Sequence, residues 1–329
     1  MAFTLRHAMS SLLLLWLCAC STSPYKDQVT AFDKALTKAQ TGFVGLANQQ
    51  ATVAAVRQVN EAAVHDGRVL TVSSCNLTLS SRKEPGNCTL MLSGREPVAT
   101  KSPAANGLVL MKAFVTYGDG LAKLVAAKDI SDLNSGISKV NSSIGGLVKT
   151  RGGTASFIPY VGPALELAAL GFDQYLEARR VEALRTAIVN AQGAVQLAVP
   201  ILAKEARLLQ VDVFQTRNTQ LQKRVDEVVD AGSTWTGATL ELTEEIIQGY
   251  AALRTLAEID AGAVFEQLGA AHRKMVEAAL NPQFSLQDAT STILAFAQKA
   301  ESLYAAGQMK AAPSTKTAKS SKKTGTGKT

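Results

Sequence analysis

Apolar side chains recur every three or four residues along most of this chain, a spacing that predicts helices. Between Val29 and Val53 they are Val29, Phe32, Leu36, Ala39, Phe43, Leu46 and Val53, a heptad seam whose one polar member is Gln50. With a shifted phase the seam continues through Val56, Val59 and Ala63 to a stop at Gly67. A second seam runs Ile130, Leu133, Ile137, Val140, Ile144, Leu147. A third follows Pro163 and includes Leu165, Phe172, Leu176, Leu184, Ile188, Ala191, Val195 and Leu202. Leu208, Leu221, Val225 and Val228 are expected to carry that pattern to Gly232, with a kink at Pro200, where a backbone hydrogen bond is lost. Two further helices are predicted over 238–280 and 286–306, separated by Pro282. The second opens on Ser285 and Asp288 at capping-box spacing. A helix from Pro163 to Asp230 would extend about 100 Å at 1.5 Å per residue. An elongated antiparallel helical bundle accommodates that length, so the expected fold class is all-α.

Residues 68–98 break the helical pattern. Leu70 and Val72, Leu77 and Leu79, and Leu90 and Leu92 are each spaced by two, and Glu84-Pro85-Gly86-Asn87 is a turn signal between them. The segment reads as a small β excursion. Two strands alone are marginal in water, which would give a disulfide between Cys75 and Cys88 a structural purpose. Closing a loop of that size stabilises a fold by about 3 kcal/mol in the chain-entropy model.

The N-terminus carries a basic stretch, Arg6 and His7, then an apolar run from Met9 to Leu17 that is too short to span a bilayer as a helix. The run closes on Leu17-Cys18-Ala19-Cys20, which resembles the lipobox of bacterial lipoproteins at Leu17, Ala19 and Cys20, with Cys18 a less usual occupant. The resemblance implies a signal peptide over 1–19, cleavage before Cys20, and lipid on its thiol and amine. Residues 20–27 would then be an anchor and spacer, 28–309 the bundle domain. Similarity to lipoproteins with Ser after the lipidated Cys points, through Ser21, to an outer membrane facing the periplasm. An oxidising compartment also fits Cys75 and Cys88 as a disulfide pair.

The formal charge of +7 is unevenly placed. Arg6 is the one charged residue of the expected signal, and 310–329 holds six lysines (Lys310, Lys316, Lys319, Lys322, Lys323, Lys328) and no acid. Acidic and basic residues are therefore equal in number over 20–309. The tail has no large apolar residue and is expected to be disordered. A flexible cationic strand suits an anionic polymer such as peptidoglycan or lipopolysaccharide. The tail lacks the aromatic residues that stack on single-stranded nucleic acid, and the expected compartment argues against such a partner.

Candidate catalytic residues are scarce, and neither a metal nor a cofactor is expected. His65 and His272 sit beside charged neighbours (Asp66; Arg273 and Lys274) with no second ligand at metal spacing, and both read as exposed helical histidines. Glu241, Glu244 and Glu245 read as a solvated helix face. Gly325-Thr326-Gly327-Lys328-Thr329 looks like the end of a phosphate-binding loop, but Lys322 occupies the place of its first glycine. Residues 152–172 are almost uncharged, broken by Pro159 and Pro163. These features favour a non-enzymatic, lipid-anchored envelope scaffold or binding module. The alternatives are a membrane-active helical protein that inserts 152–172, and an enzyme of unrecognised type with a shifted titratable group in a polar pocket.

Overall fold

A computed structural model describes residues 25–66, 70–73, 89–92, 96–97, 104–149, 172–230 and 237–309. The protein is a mostly helical, all-α bundle: α1 (Lys26–Asp66), α2 (Ala105–Ala126), α3 (Ile130–Lys149), α4 (Phe172–Asp230), α5 (Gly237–Glu258), α6 (Ala261–Leu280) and α7 (Thr290–Gly307), with a 3₁₀ turn at Gln287–Ala289. Three short strands, β1 (Leu70–Ser73), β2 (Thr89–Leu92) and β3 (Glu96–Pro97), pair antiparallel in that order, with Leu70 opposite Leu92 and Met91 opposite Pro97. Cys75, Cys88 and the 84–87 turn lie outside the described residues.

Two pairs of helices that follow one another in sequence pack antiparallel, as the glycine contacts show. Gly120 of α2 lies against Val140 of α3, and Gly249 of α5 against Leu221 of α4. The pairs that α1 makes with α7 and α4 break the antiparallel expectation, whereas α4 and α6 keep it, from Arg185–Ala279 to Arg207–Asp260. Helix α1 runs parallel to α7, meeting it from Gln28–Thr290 through Lys38–Glu301 to Gly45–Gly307. It is also parallel to α4, from Tyr25–Glu177 to Gln50–Asp212. Connections long enough to return along the bundle make such parallel neighbours possible.

The seams form the core. Val29, Phe32, Leu36, Ala39, Phe43, Leu46 and Val53 are all buried, as are Leu133, Val140, Ile144 and Leu147, and Leu184, Ile188, Ala191, Val195 and Leu202, whereas the seam members Val56 and Ile130 are exposed and Ile137 is half-buried. Buried Gln50 is satisfied in part by donating to Asp212 Oδ2 at 2.9 Å. Helix α2, which the seams do not single out, contributes Leu110, Met111, Phe114, Tyr117, Leu121 and Leu124. Packing leaves little space: a cavity between α3 and α4, lined by Ile137, Val140, Ile144, Ala183 and Ala187, holds about 10 Å³.

Three expectations are corrected. The helix expected over 238–280 is two helices, because Asp260 accepts from Ala263 N at 3.0 Å and caps α6. Ser285 and Asp288 do not form a capping box: Ser285 Oγ accepts from Gln287 N within the approach to the 3₁₀ turn, and Ala289, at the N-cap position of α7, supplies no side-chain cap. Leu208 is not core but 59 % exposed. Its neighbours Ala206, Leu209 and Val213 face the core instead, following Leu202 at spacings of four, three and four. The chain runs helical through Pro200.

Many helix ends are closed by side chains of other helices. Gln210 of α4 donates to the carbonyls of Leu256 and Ile259 and accepts from Ala261 N, so one side chain holds the α5–α6 joint. Glu205 accepts from Gly107 N at 2.8 Å in the first turn of α2, and Arg180 donates to Ala127 O beyond its end. Arg185 donates to Ala279 O, Gln49 to the carbonyls of Ala306 and Gly307, and Arg217 to Met309 O. Terminal helix carbonyls and amides have no intrahelical partner, so these bonds tie helix ends to the tertiary fold.

Among the described residues one helix, Gln174–Asp230, is long and apolar enough to cross a membrane by length and composition, with a mean hydropathy of 1.4 in its most apolar window. Of that window 44 % lies buried inside the bundle.

Candidate functional site

His272 corrects the sequence reading most sharply: it is fully buried. Its Nε2 lies 2.9 Å from Tyr117 Oη of α2, and its Nδ1 lies 3.0 Å from Gln192 Oε1 of α4. The amide oxygen can only accept, so Nδ1 carries the proton and Nε2 accepts from the tyrosine hydroxyl. All three groups are satisfied while the imidazole stays neutral. Burial holds the imidazole pKa down, to about 3, and pushes the Tyr117 phenol up.

The triad joins three helices, and its residues line neither the cavity between α3 and α4 nor the groove between α1 and α7. With both ring nitrogens paired and the imidazole neutral, the three side chains form a buried hydrogen-bonded network. A signal for it was present in the sequence. Val264, Phe265, Leu268, His272, Met275 and Ala279 share one helical stripe, and all are buried. The charged neighbours Arg273 and Lys274 lie on the opposite face and obscured it.

A second polar place is an open groove of about 330 Å³ between α1 and the end of α7. Thr41, Asn48, Gln49, Thr52 and Gln308 line it, and none of these is a titratable group. Among the described residues no cluster of His, Cys, Asp and Glu could hold a metal ion. His65 lies on α1, apart from His272 on α6.

The other site residues expected from sequence divide in two. Cys20, Cys75, Cys88, Lys310, Lys316, Lys319, Lys322, Lys323, Lys328 and the 152–171 segment lie outside the described residues. Glu241, Glu244 and Glu245 lie on α5, whose surroundings the sequence did not foretell. From Phe214 to the end of α4, and from Leu240 to Ala252 of α5, no described side chain is buried. The two helices therefore leave the main body as a hairpin. Its inner seam, Leu221, Val225, Val228 and Ile246, is half-buried, whereas Val229, Leu240, Ile247 and Tyr250 are 60–69 % exposed. Glu241, Glu244 and Glu245 make no ion pair among the described residues.

No protein-family model, curated protein or solved structure matches this chain.

Proposed function

We propose that the protein is a non-enzymatic, lipid-anchored component of the cell envelope, tethered through Cys20 to the outer membrane and facing the periplasm. Its bundle would be a rigid scaffold and its lysine tail a contact for an anionic polymer, peptidoglycan or lipopolysaccharide. The observation that carries the scaffold part is the α4–α5 hairpin. It projects from a body whose helix ends are locked by interhelical hydrogen bonds, and it offers apolar and acidic side chains to solvent. The Cys75–Cys88 disulfide belongs to the same reading, as a brace for the short sheet.

Several acyl chains are needed for stable anchoring, because each buried methylene contributes about 0.8 kcal/mol and one chain binds reversibly. Cys20→Ser is expected to move the protein from the membrane to the soluble periplasmic fraction. Mass spectrometry of the membrane-purified protein, without reduction, should find lipid at Cys20 and Cys75 joined to Cys88. An unchanged membrane fraction for Cys20→Ser would sink the anchor, and two free thiols would sink the brace.

Flexible lysines are point charges without fixed geometry, so polymer binding should be weak and steeply salt-dependent. Deleting 311–329 is expected to abolish co-sedimentation with isolated peptidoglycan and lipopolysaccharide while leaving the helical circular dichroism unchanged. Equal sedimentation of the truncated and full chains would reduce the tail to a solubilising segment.

A further inference from the structure

The tip of the hairpin carries a large one-signed charge. Between Val225 and Leu253 the chain has six acids (Asp226, Glu227, Asp230, Glu241, Glu244, Glu245) and no Lys or Arg; Arg224, just before this stretch, pairs with Glu227 at 2.8 Å, and the other five acids make no ion pair among the described residues. The segment 310–329 has six lysines and no acid. Met309, the residue before that segment, lies at the hairpin's base, where Arg217 of α4 donates to its carbonyl at 3.3 Å. Arg217 lies one turn toward the body from Leu221, which packs against Gly249 of α5.

We infer that residues 310–329 fold back onto the α4–α5 hairpin, an intramolecular contact in which the tail's lysines meet the acidic tip and cover the open face of α5. From Arg217 to Asp230 is about 20 Å along α4 at 1.5 Å per residue. Twenty residues of extended chain reach roughly 66 Å, so the tip is well within range. A tether of that length holds the lysines near the acids at roughly millimolar effective concentration, enough for weak ionic contacts to be populated.

The face itself suits long amphipathic cations. Leu240, Glu244, Ile247 and Tyr250 follow one another by four, three and three residues and so share a side of α5. Lysine stems can lie across Leu240 and Ile247 while the ammonium groups reach Glu241, Glu244 and Glu245 or the Tyr250 ring. A second copy of α5 would instead bring the same glutamates toward one another. The contact is independent of whether the tail also binds a polymer. Where both occur they compete, and the tip then sets how readily the tail is released.

Zero-length carbodiimide cross-linking of the full chain, read by peptide mass spectrometry, tests this. Within the monomer band, Lys316 to Lys328 should be joined to Glu241, Glu244 and Glu245 in preference to exposed acids of the body such as Glu277 and Glu301. Those products should be lost in 1 M salt, where the screening length falls to about 3 Å. In the variant Glu241→Gln/Glu244→Gln/Glu245→Gln, whose side chains are exposed or half-exposed and whose circular dichroism should be unchanged, the cross-links from the same lysines to Asp226 and Asp230, which keep reactive carboxylates, should fall as well. Lysines joined evenly to acids over the whole body, or joined only in dimers, would overturn the inference. Polymer sedimentation of the same triple variant separates the two readings. Stronger sedimentation of the variant, together with salt-sensitive tip cross-links in the unsubstituted chain, supports both. Such cross-links with no sedimentation in any variant retain the fold-back and end the polymer reading.

Discussion

Between pH 6.5 and about pH 3 the protein is expected to lose stability through His272 alone, by up to roughly 4 kcal/mol over the whole window. The sign follows from proton counting. Burial lowers the folded-state pKa from 6.5 to about 3, so between those values the unfolded chain binds a proton that the folded chain refuses. Stability from this source is complete above pH 6.5 and falls as the pH falls, with a limiting slope of about 1.4 kcal/mol per pH unit. Other groups contribute in both directions. Burial raises the Asp33 and Glu205 carboxyls, which opposes the loss, whereas hydrogen bonds from Ala263 and Arg207 lower Asp260, which adds to it. The measurement is therefore a difference: urea unfolding of the wild type and of His272→Gln at a series of pH values. The neutral amide should remove the His272 slope while leaving the carboxylate contribution in place. Parallel curves for the two proteins would show that the imidazole accepts a proton in the fold. Tyr117→Phe is a companion test, since it leaves Nε2 a buried acceptor without a donor, at a cost of about 1–3 kcal/mol.

Gly42→Ala and Gly45→Ala should each destabilise the protein by about 1–3 kcal/mol, because α1 and α7 touch backbone to backbone. A Cβ at Gly42 would stand 2.6 Å from the Leu303 carbonyl, and one at Gly45 would press on the Gly307 carbonyl. Neither obstacle is a side chain that can rotate away, so the helices must separate and the bonds from Gln49 to the carbonyls of Ala306 and Gly307 stretch with them. Gly193 provides the contrast: it lies within α4, and a Cβ there would meet nothing within 4 Å. Gly193→Ala should therefore stabilise by about 0.5–1 kcal/mol, through lower chain entropy in the unfolded state. Thermal melts of the three variants decide the matter. A drop for Gly193→Ala, or no drop for Gly42→Ala and Gly45→Ala, would contradict the packing described.

How much could be read without the fold depends on the range of the physics involved. Helicity and the identity of each apolar face follow from side-chain spacing, a property of a few consecutive residues. That is why the Val29–Val53 and Leu133–Leu147 seams pointed to buried helix faces. The break at Asp260 was also local, an N-cap that the apolar stripe on either side disguised. Residues 310–329, with six lysines and no acid, are likewise a fact of sequence alone.

Spacing cannot state what covers a face, and there the tertiary structure decided. Leu202 and Leu221 were assigned to one seam, yet the first is fully buried and the second only partly, because the body ends near Val213 while α4 continues. His272 is neutral and buried because Tyr117 and Gln192, 155 and 80 residues away in sequence, supply its hydrogen bonds. The parallel pairing of α1 with α7 rests on glycines more than 250 residues apart, whose missing side chains reveal nothing until two backbones meet. The hairpin and Met309 at its base come from the same source. A helix carries its own pattern, but desolvation and charge pairing depend on neighbours that only the folded chain brings within reach.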